Sequence, residues 1–397
     1  MKQNYKSTIN ACFCAYIVQA IINNFAPLLF VKFQNEFSVP LSQITLLITF
    51  NFSVQLLVDL LSAKVLDKIG YRASMIAAHF LSSLGMVSLA VLPFVMSNHF
   101  VGLLLSVMIS AIGGGILEVL VSPIVEACPS DNKEKAMSLL HSFYCWGHVG
   151  VVLLSTLFFR LCGIDNWRVV AVLWAILPAV NCFVFARVPI PMLISSEQKG
   201  MTIKELITSR VFIVLFVMMV CSGASEQAIS QWVSTFACSG LGISKTVGDL
   251  TGTLMFAVLM GTARALYGKY GDRVPQRKMI PITSAVCIAS YMIVALSPVP
   301  AISLAGCALC GLSVGIMWPG TFSISASRLP TGSTAMFALL ALGGDLGCSA
   351  GPSVVGFVSS AFNSNLKIGI LFATVFPVTL LISTLLLNKQ DKLRCNT

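Results

Sequence analysis

The sequence predicts an all-α membrane protein of twelve transmembrane helices in two six-helix bundles, and three observations carry that prediction. Hydrophobic residues fill 56% of the 397 positions and charged residues only 10%, against roughly 25% charged in a soluble domain; mean hydropathy is +0.88. The apolar residues fall in runs of the length, about 20 residues, that crosses about 30 Å of hydrocarbon as a helix. Those runs lie in two sets of six on either side of one long hydrophilic connector.

In chain order the runs span 9–33, 42–66, 72–95, 98–125, 137–159, 167–187, 210–237, 246–268, 279–297, 301–325, 333–361 and 366–387. The first is too long for the apolar region of a signal peptide and no small-residue cleavage site precedes the second, so it is read as a membrane helix. Met1–Asn10 carries only Lys2 and Lys6, unlike an Arg-rich presequence. The second run closes at Asp67-Lys68, and the third opens at Arg72. The fourth contains Gly113-Gly114-Gly115, read as a helix-packing element, and the fifth carries His141. Between the sixth and seventh lies Pro189 to Ser209, with Glu197, Lys199, Lys204 and Glu205. The twelfth precedes a basic end with no lipidation box. The expected domains are therefore 1–188, a cytoplasmic linker 189–209, and 210–397.

The two sets repeat one another. Asp67-Lys68-x-Gly70-x-Arg72 recurs as Asp272-Arg273-x-Pro275-x-Arg277, and Asn23 to Phe33 aligns with Glu226 to Phe236. Pro123 matches Pro319, and Ala136-Met137 matches Ala335-Met336. Near-constant offsets in chain order are the mark of an internal repeat. Two parallel six-helix repeats are a transporter architecture in which substrate is held near the midplane.

Orientation follows from Lys and Arg, which are retained on the cytoplasmic side in short loops. With both termini inside, the other side holds only Lys32, Arg160, Arg168, Lys245 and Lys367 of the 25 basic residues. The net charge of +10 is then topology rather than a nucleic-acid surface. The cysteines sit mostly in apolar runs, where a small hydrophobe is the plain explanation. Cys307 and Cys310 form a C-x-x-C without a second pair, so no metal site and no cofactor are expected. There is no Walker motif, no dinucleotide fingerprint and no H-E-x-x-H, so an enzyme is not expected either.

The stretch Ala63-Lys-Val-Leu-Asp67-Lys68-Ile-Gly70-Tyr-Arg72 resembles the loop signature between the second and third helices of the major facilitator superfamily, with Ala63 for its first Gly and Tyr71 for a basic residue. The second copy, Gly268-Lys-Tyr-Gly-Asp272-Arg273 with Arg277 and Lys278, is similar. Within that superfamily Asn23-Asn24, Phe33-Gln34, Gly113 to Glu118 with Pro123, and His141-Ser-Phe143 with Gly147 resemble the fucose-permease-like group of sugar:proton symporters. The acidic residue of that group's first helix falls on Pro27 here, and the Asn before its fourth-helix Pro is Ser122. The resemblance implies the major facilitator fold and coupling of a sugar to protons.

Ionisable groups in hydrocarbon are costly and mark pathways or partners. Four acids lie deep in the runs: Asp59, Glu118, Glu226 and Asp345. Glu118 lies about ten residues from a helix end, about 15 Å deep, on a stripe with Ser110, Gly114 and Ser122. Glu226 shares its run with Gln227, Gln231 and Trp232; amides and carboxylates supply directed donors and acceptors for hydroxyls, and an indole offers a flat platform to a sugar ring. Asn23 and Asn24, with Gln19 one turn earlier, are the first-half counterpart. Asn51, Gln55 and Asp59 form a seam on the second run. Asp59 and Asp345 fit a structural partner as well as a functional role.

The expected substrate contacts are Asn23, Asn24, Glu118, Glu226, Gln227, Gln231, Trp232 and Trp318; the proton-coupling residues are Glu118, Glu226 and His141. The expected cytoplasmic latch is Asp67, Lys68, Arg72, Asp272, Arg273 and Arg277, an aspartate at a helix end pairing with arginine or a helix dipole. The function so read is a secondary transporter working by alternating access in the cell membrane. Its partners are the bilayer, protons and a small polar solute such as a sugar, with no obligate protein partner. A proton-coupled exporter of drugs or metabolites and a non-transporting sensor on a transporter frame stand as alternatives.

Overall fold

A computed structural model describes residues 5–129, 133–191, 201–270, 276–329 and 334–395; the side chains of 62–68, 133–138, 268, 276–277, 334–335 and 389–395 fall outside that description. Regular structure among the described residues is helical throughout, and twelve helices there are long and apolar enough to cross a membrane. The chain divides into two compact units, Met1–Ser195 and Ser196–Thr397.

The first unit holds α1 (Lys6–Phe37), α2 (Leu41–Leu61), α3 (Tyr71–Val95), α4 (His99–Ala127), α5 (Leu139–Cys162) and α6 (Ile164–Arg187). In it α3 packs along α4 and α6, α2 along α4, and α1 along α4 and α5. Lipid tails are as apolar as leucine, so these contacts rest on close packing and hydrogen bonds. The glycine triplet of α4 serves three directions at once. A Cβ at Gly113 would meet the Ala78 carbonyl at 2.6 Å, one at Gly114 the Gln19 amide oxygen at 3.0 Å, and one at Gly115 the Val58 side chain at 2.9 Å. Buried His79 adds a polar tie. Its Nδ1 donates to the Met75 carbonyl at 2.7 Å and its Nε2 accepts from Asn181 at 2.8 Å. Asn181 also donates to the Ala11 carbonyl at 3.0 Å, so α1, α3 and α6 are joined by one satisfied set of bonds.

The second unit holds α7 (Arg210–Gly240), α8 (Lys245–Tyr267), α9 (Lys278–Leu296), α10 (Pro300–Arg328), α11 (Met336–Ala361) and α12 (Leu366–Asn388). Its pairings repeat those of the first unit: α9 with α10 and α12, α8 with α10, and α7 with α10 and α11. The connector between the units is not featureless. Residues Ile203–Thr208 form a short helix opened by a capping box between Thr202 and Glu205, and Leu206 is buried. The hydrogen bonds from the Thr202 backbone and hydroxyl hold the Glu205 carboxyl below the usual carboxylate range.

The first helix of each unit is broken, which the hydropathy pattern did not reveal. In α1 the α-helix ends at Asn24 and a 3₁₀ turn, Ala26–Leu29, carries Pro27 before the helix resumes at Phe30. A proline has no amide hydrogen to continue the ladder. In α7 the α-helix ends at Ser230, and a π-helical turn, Phe236–Gly240, closes the span without any proline.

Arginine and lysine side chains staple antiparallel neighbours. Arg72, at the start of α3, donates to the Phe185 and Ala186 carbonyls in the last turn of α6 at 2.9 and 2.8 Å. Arg168, at the start of α6, donates to the Ala90 carbonyl of α3 at 2.7 Å and sits 4.1 Å over the Phe94 ring. The second unit repeats the device: Lys367, opening α12, donates to the Ser297 carbonyl just beyond α9 at 2.8 Å. Four of the five basic residues that the sequence puts on the minority side, Lys32, Arg168, Lys245 and Lys367, thus have local partners. Lys32 pairs with Asp165 and Glu36, and Lys245 with Asp249. Replacing Arg72 by alanine is expected to lower the stability of the first unit by about 1–2 kcal/mol, read as a lower thermal midpoint in detergent. Arg72→Lys should recover most of it, since both bonds leave one guanidinium nitrogen and an ammonium carries three donors on a single nitrogen. An unchanged midpoint for both variants would mean that water serves these carbonyls equally well.

Candidate functional site: polar clusters inside the two units

In the first unit a chain of side-chain hydrogen bonds runs across α1, α2 and α4. The Gln19 amide nitrogen donates to Glu118 at 3.1 Å and to the Gln55 amide oxygen at 2.8 Å. The Gln55 nitrogen in turn donates to the Asn23 oxygen at 2.9 Å, which also accepts from Asn51 at 3.2 Å. Gln19, Asn23, Asn51 and Gln55 are buried, while Glu118 is partly exposed. Gly114 makes the chain possible, because a side chain there would crowd both Gln19 and Gln55. Asp59 lies one helical turn from Gln55, and its carboxylate comes within 4.8 Å of that of Glu118.

One turn along α4, the Ser122 hydroxyl pairs with Tyr16 at 2.9 Å. The Tyr16 ring lies 5.5 Å from that of His141, so His141 stands next to the cluster through an aromatic neighbour. Asn24 turns away from Asn23 and donates to the Ala20 carbonyl at 2.9 Å and the Tyr144 hydroxyl at 3.4 Å.

In the second unit Glu226 forms an ion pair with Arg264 of α8 at 2.8 Å, and both side chains are largely buried. Gln227 donates to the other carboxylate oxygen at 3.3 Å, and Gln231 donates to Gln227 at 3.0 Å. Three of the expected contacts therefore form one line on α7, anchored by Arg264 of α8. Arg264 lies three residues inside the end of α8, and its long stem carries the guanidinium back to the acid. An arginine set off from the loop charges that follow, inside an apolar run, was the available signal. Asp249 was also passed over: it is fully buried and held by Ser234 and Lys245, both at 2.6 Å.

Two aromatic expectations fare differently. Trp232 is fully buried, and its indole nitrogen donates to the Pro352 carbonyl at 2.9 Å. The ring packs between α7 and α11 in this structure, because a buried indole N–H requires an acceptor and finds it in the backbone. Trp318 is only partly buried, with its ring laid over Gly344 and 6.3 Å from Phe322.

Of the expected latch, Arg72 engages the end of α6 as described. The side chains of Asp67, Lys68 and Arg277, and all of Asp272 and Arg273, lie outside the described residues.

Residues 10–352 match the model of the Major Facilitator Superfamily. Over 266 residues the chain is 26% identical to membrane protein MosC of Rhizobium meliloti, a match that takes in 65% of this chain and 62% of that protein. Its fold is similar to that of the E. coli fucose:proton symporter FucP, with a TM-score of 0.66 at 18% identity over 96% of this chain and 98% of that one. It is also similar to a bacterial homologue of the human lysosomal transporter Spinster in an inward-facing, occupied conformation, with a TM-score of 0.77 at 14% identity over 98% of each chain. At such identities these structures speak for the fold alone. Twelve membrane-length helices among the described residues, the repeated packing of two six-helix units and a family match over most of the sequence lead to one conclusion: the chain belongs to the Major Facilitator Superfamily and is a multi-pass membrane protein.

Proposed function

We propose that this transporter carries a small polar solute, a sugar, across the cell membrane in symport with protons, by alternating access and with both termini cytoplasmic. The observation that carries the reading is the hydrogen-bonded chain from Glu118 through Gln19, Gln55 and Asn23 to Asn51, held inside an otherwise apolar bundle. Buried polar groups cost free energy unless paired, and four of them in one line with the partly exposed Glu118 suit a ligand rich in hydroxyls. FucP, similar in fold, is by its title a fucose:proton symporter, and this supports the same class of cargo.

In this reading Glu118 binds the proton, and Asn23, Gln227, Gln231 and Trp318 meet the solute. Glu226 is charge-balanced by Arg264, so it orients the Gln227–Gln231 line rather than carrying the proton. The first-helix acid of the fucose-permease-like group is missing, and Glu118 takes its part alone or with a neighbour. Asp67, Lys68, Arg72, Asp272, Arg273 and Arg277 remain the proposed latch.

The test is proton movement in proteoliposomes carrying a pH-sensitive dye, as sugars, nucleosides, amino acids and cationic drugs are added in turn. One sugar is expected to alkalinise the outside, and Glu118→Gln is expected to cut that signal on the order of tenfold or more and to flatten its pH dependence. A drug-driven signal of opposite sign would replace symport by export, and silence throughout would overturn proton symport in favour of facilitated diffusion, another ion or a non-transporting sensor. If Glu118→Gln leaves uptake and its pH dependence unchanged, the assignment of Glu118 is wrong.

A further inference from the structure

Gln19 is the buried centre of the first unit's polar chain, and its two ends are treated unequally. Both amide hydrogens are used, one on Glu118 and one on Gln55. The amide oxygen is buried and has no hydrogen-bond partner among the described residues, and the side chain is 3% exposed. A buried acceptor left unmade is costly, and an amide can exchange the places of its oxygen and nitrogen by a half-turn about its last torsion.

The bonds along the chain all have a direction. With Glu118 ionised the carboxylate only accepts, so Gln19 presents its nitrogen to it; Gln19 then also donates to Gln55, and Gln55 donates to Asn23. Once a proton binds Glu118, the acid hydroxyl is a donor and requires an acceptor. The Gln19 oxygen, which accepts no bond from the described residues, is an acceptor on the residue already bonded to Glu118, and the half-turn brings it into place. That oxygen would then face the Gln55 oxygen, so Gln55 must turn as well. The same clash passes to Asn23 and Asn51, and each amide reverses in sequence.

We infer that Gln19 is a positioning residue that converts protonation of Glu118 into a reversal of donors and acceptors along Gln55, Asn23 and Asn51. The proton itself moves only onto Glu118, and no covalent bond in the amides changes. The consequence is chemical: with the proton bound, Asn23 and Asn51 present the opposite polarity to a solute hydroxyl from the one they present without it. This rests on the reading of Glu118 as the proton-binding group. The neighbours that bear on its titration within the unit are Asp59 on α2, with its carboxylate within 4.8 Å, and His141 on α5, which reaches the cluster through Tyr16. From α1, Gln19 and Tyr16 are the uncharged groups that face α4 here.

The experiment is pH-difference infrared spectroscopy of the full-length protein in lipid nanodiscs, without solute, with isotope label on the glutamine side-chain amides. The expected result is a carboxyl band and a glutamine amide shift that titrate with one midpoint. Glu118→Gln should abolish both, whereas Asp59→Asn should leave both in place, which assigns the band. In Gln19→Leu the carboxyl band should persist and the coupled amide shift should vanish; in Gln55→Leu the amide shift should persist at Gln19 alone. Each variant is checked for parental helicity and monodisperse elution, and the two glutamine variants serve as alternates should one not fold. A Glu118 carboxyl that titrates while the amide bands stay fixed overturns the relay and leaves the proposed function standing. Absence of any carboxyl band that Glu118→Gln removes overturns both.

Discussion

Replacing Arg264 by alanine is expected to destabilise the second unit by on the order of 3–5 kcal/mol, the usual cost of leaving one member of a buried ion pair without its partner. The pair with Glu226 spans 2.8 Å, and neither side chain has more than 16% of its surface exposed. Gln227 donates to the same carboxylate but brings no charge, so it cannot replace the guanidinium. Glu226→Gln alone should cost less, since its amide still meets Gln227 and keeps the volume, but it leaves a cation buried in an apolar bundle. Combining Glu226→Gln with Arg264→Met removes both charges, and much of the stability should return, because a paired charge is worth little more than a well-packed neutral group of the same size. The measurement is a double-mutant cycle on thermal unfolding in detergent, closed by the single variants Glu226→Gln and Arg264→Met. A coupling energy near zero would mean that the pair is incidental to folding.

The second large effect concerns the crossing of α7 and α11. A Cβ at Gly347 would overlap the Val220 carbonyl oxygen, one at Gly351 the Ala224 carbonyl, and one at Gly223 the Gly344 carbonyl. These are backbone atoms, so no rotamer change relieves the overlap; the helices must separate. Separation would forfeit the close contact that holds helices together in lipid and would pull Trp232 from the Pro352 carbonyl. Gly347→Leu is therefore expected at or above the upper end of the 1–3 kcal/mol typical of overpacking, seen as loss of the monodisperse protein peak and of transport. Gly150 is the control: a Cβ there meets nothing within 4 Å. Gly150→Ala should leave yield unchanged or raise stability by about 0.5–1 kcal/mol. Normal yield and elution of Gly347→Leu would show that the crossing is looser than drawn.

The spans were legible because hydropathy is a local property. A run such as 98–125 needs no knowledge of its neighbours to be called a helix, and the structure has a helix at His99–Ala127. The repeat was legible for the same reason, since Asn23 to Phe33 and Glu226 to Phe236 could be aligned on the page. The break in α1 has a signal in Pro27, whereas α7 leaves its α-helix at Ser230 and closes on a π-helical turn at Phe236–Gly240 with no proline in the span. The polar residues of the site were also legible as a set, because each polar side chain in hydrocarbon stands out. Their partners were not. The indole nitrogen of Trp232 meets a carbonyl 120 positions away. Arg264 looked like one more loop charge until it met Glu226, 38 positions earlier.

By itself, then, the sequence determined how many times this chain crosses the membrane, where the crossings lie and that they come in two like halves. Those properties follow from the length of an apolar run against the thickness of hydrocarbon. Only the tertiary structure decided that Gln19 lies between Glu118 and Gln55, that Glu226 is neutralised by Arg264 and that Trp232 is spent on packing. A helix apolar on nearly every side carries little periodicity to say which face turns inward. The rotation of each helix, and with it the partner of each polar side chain, is settled by where glycines such as Gly114 and Gly347 allow neighbours to approach.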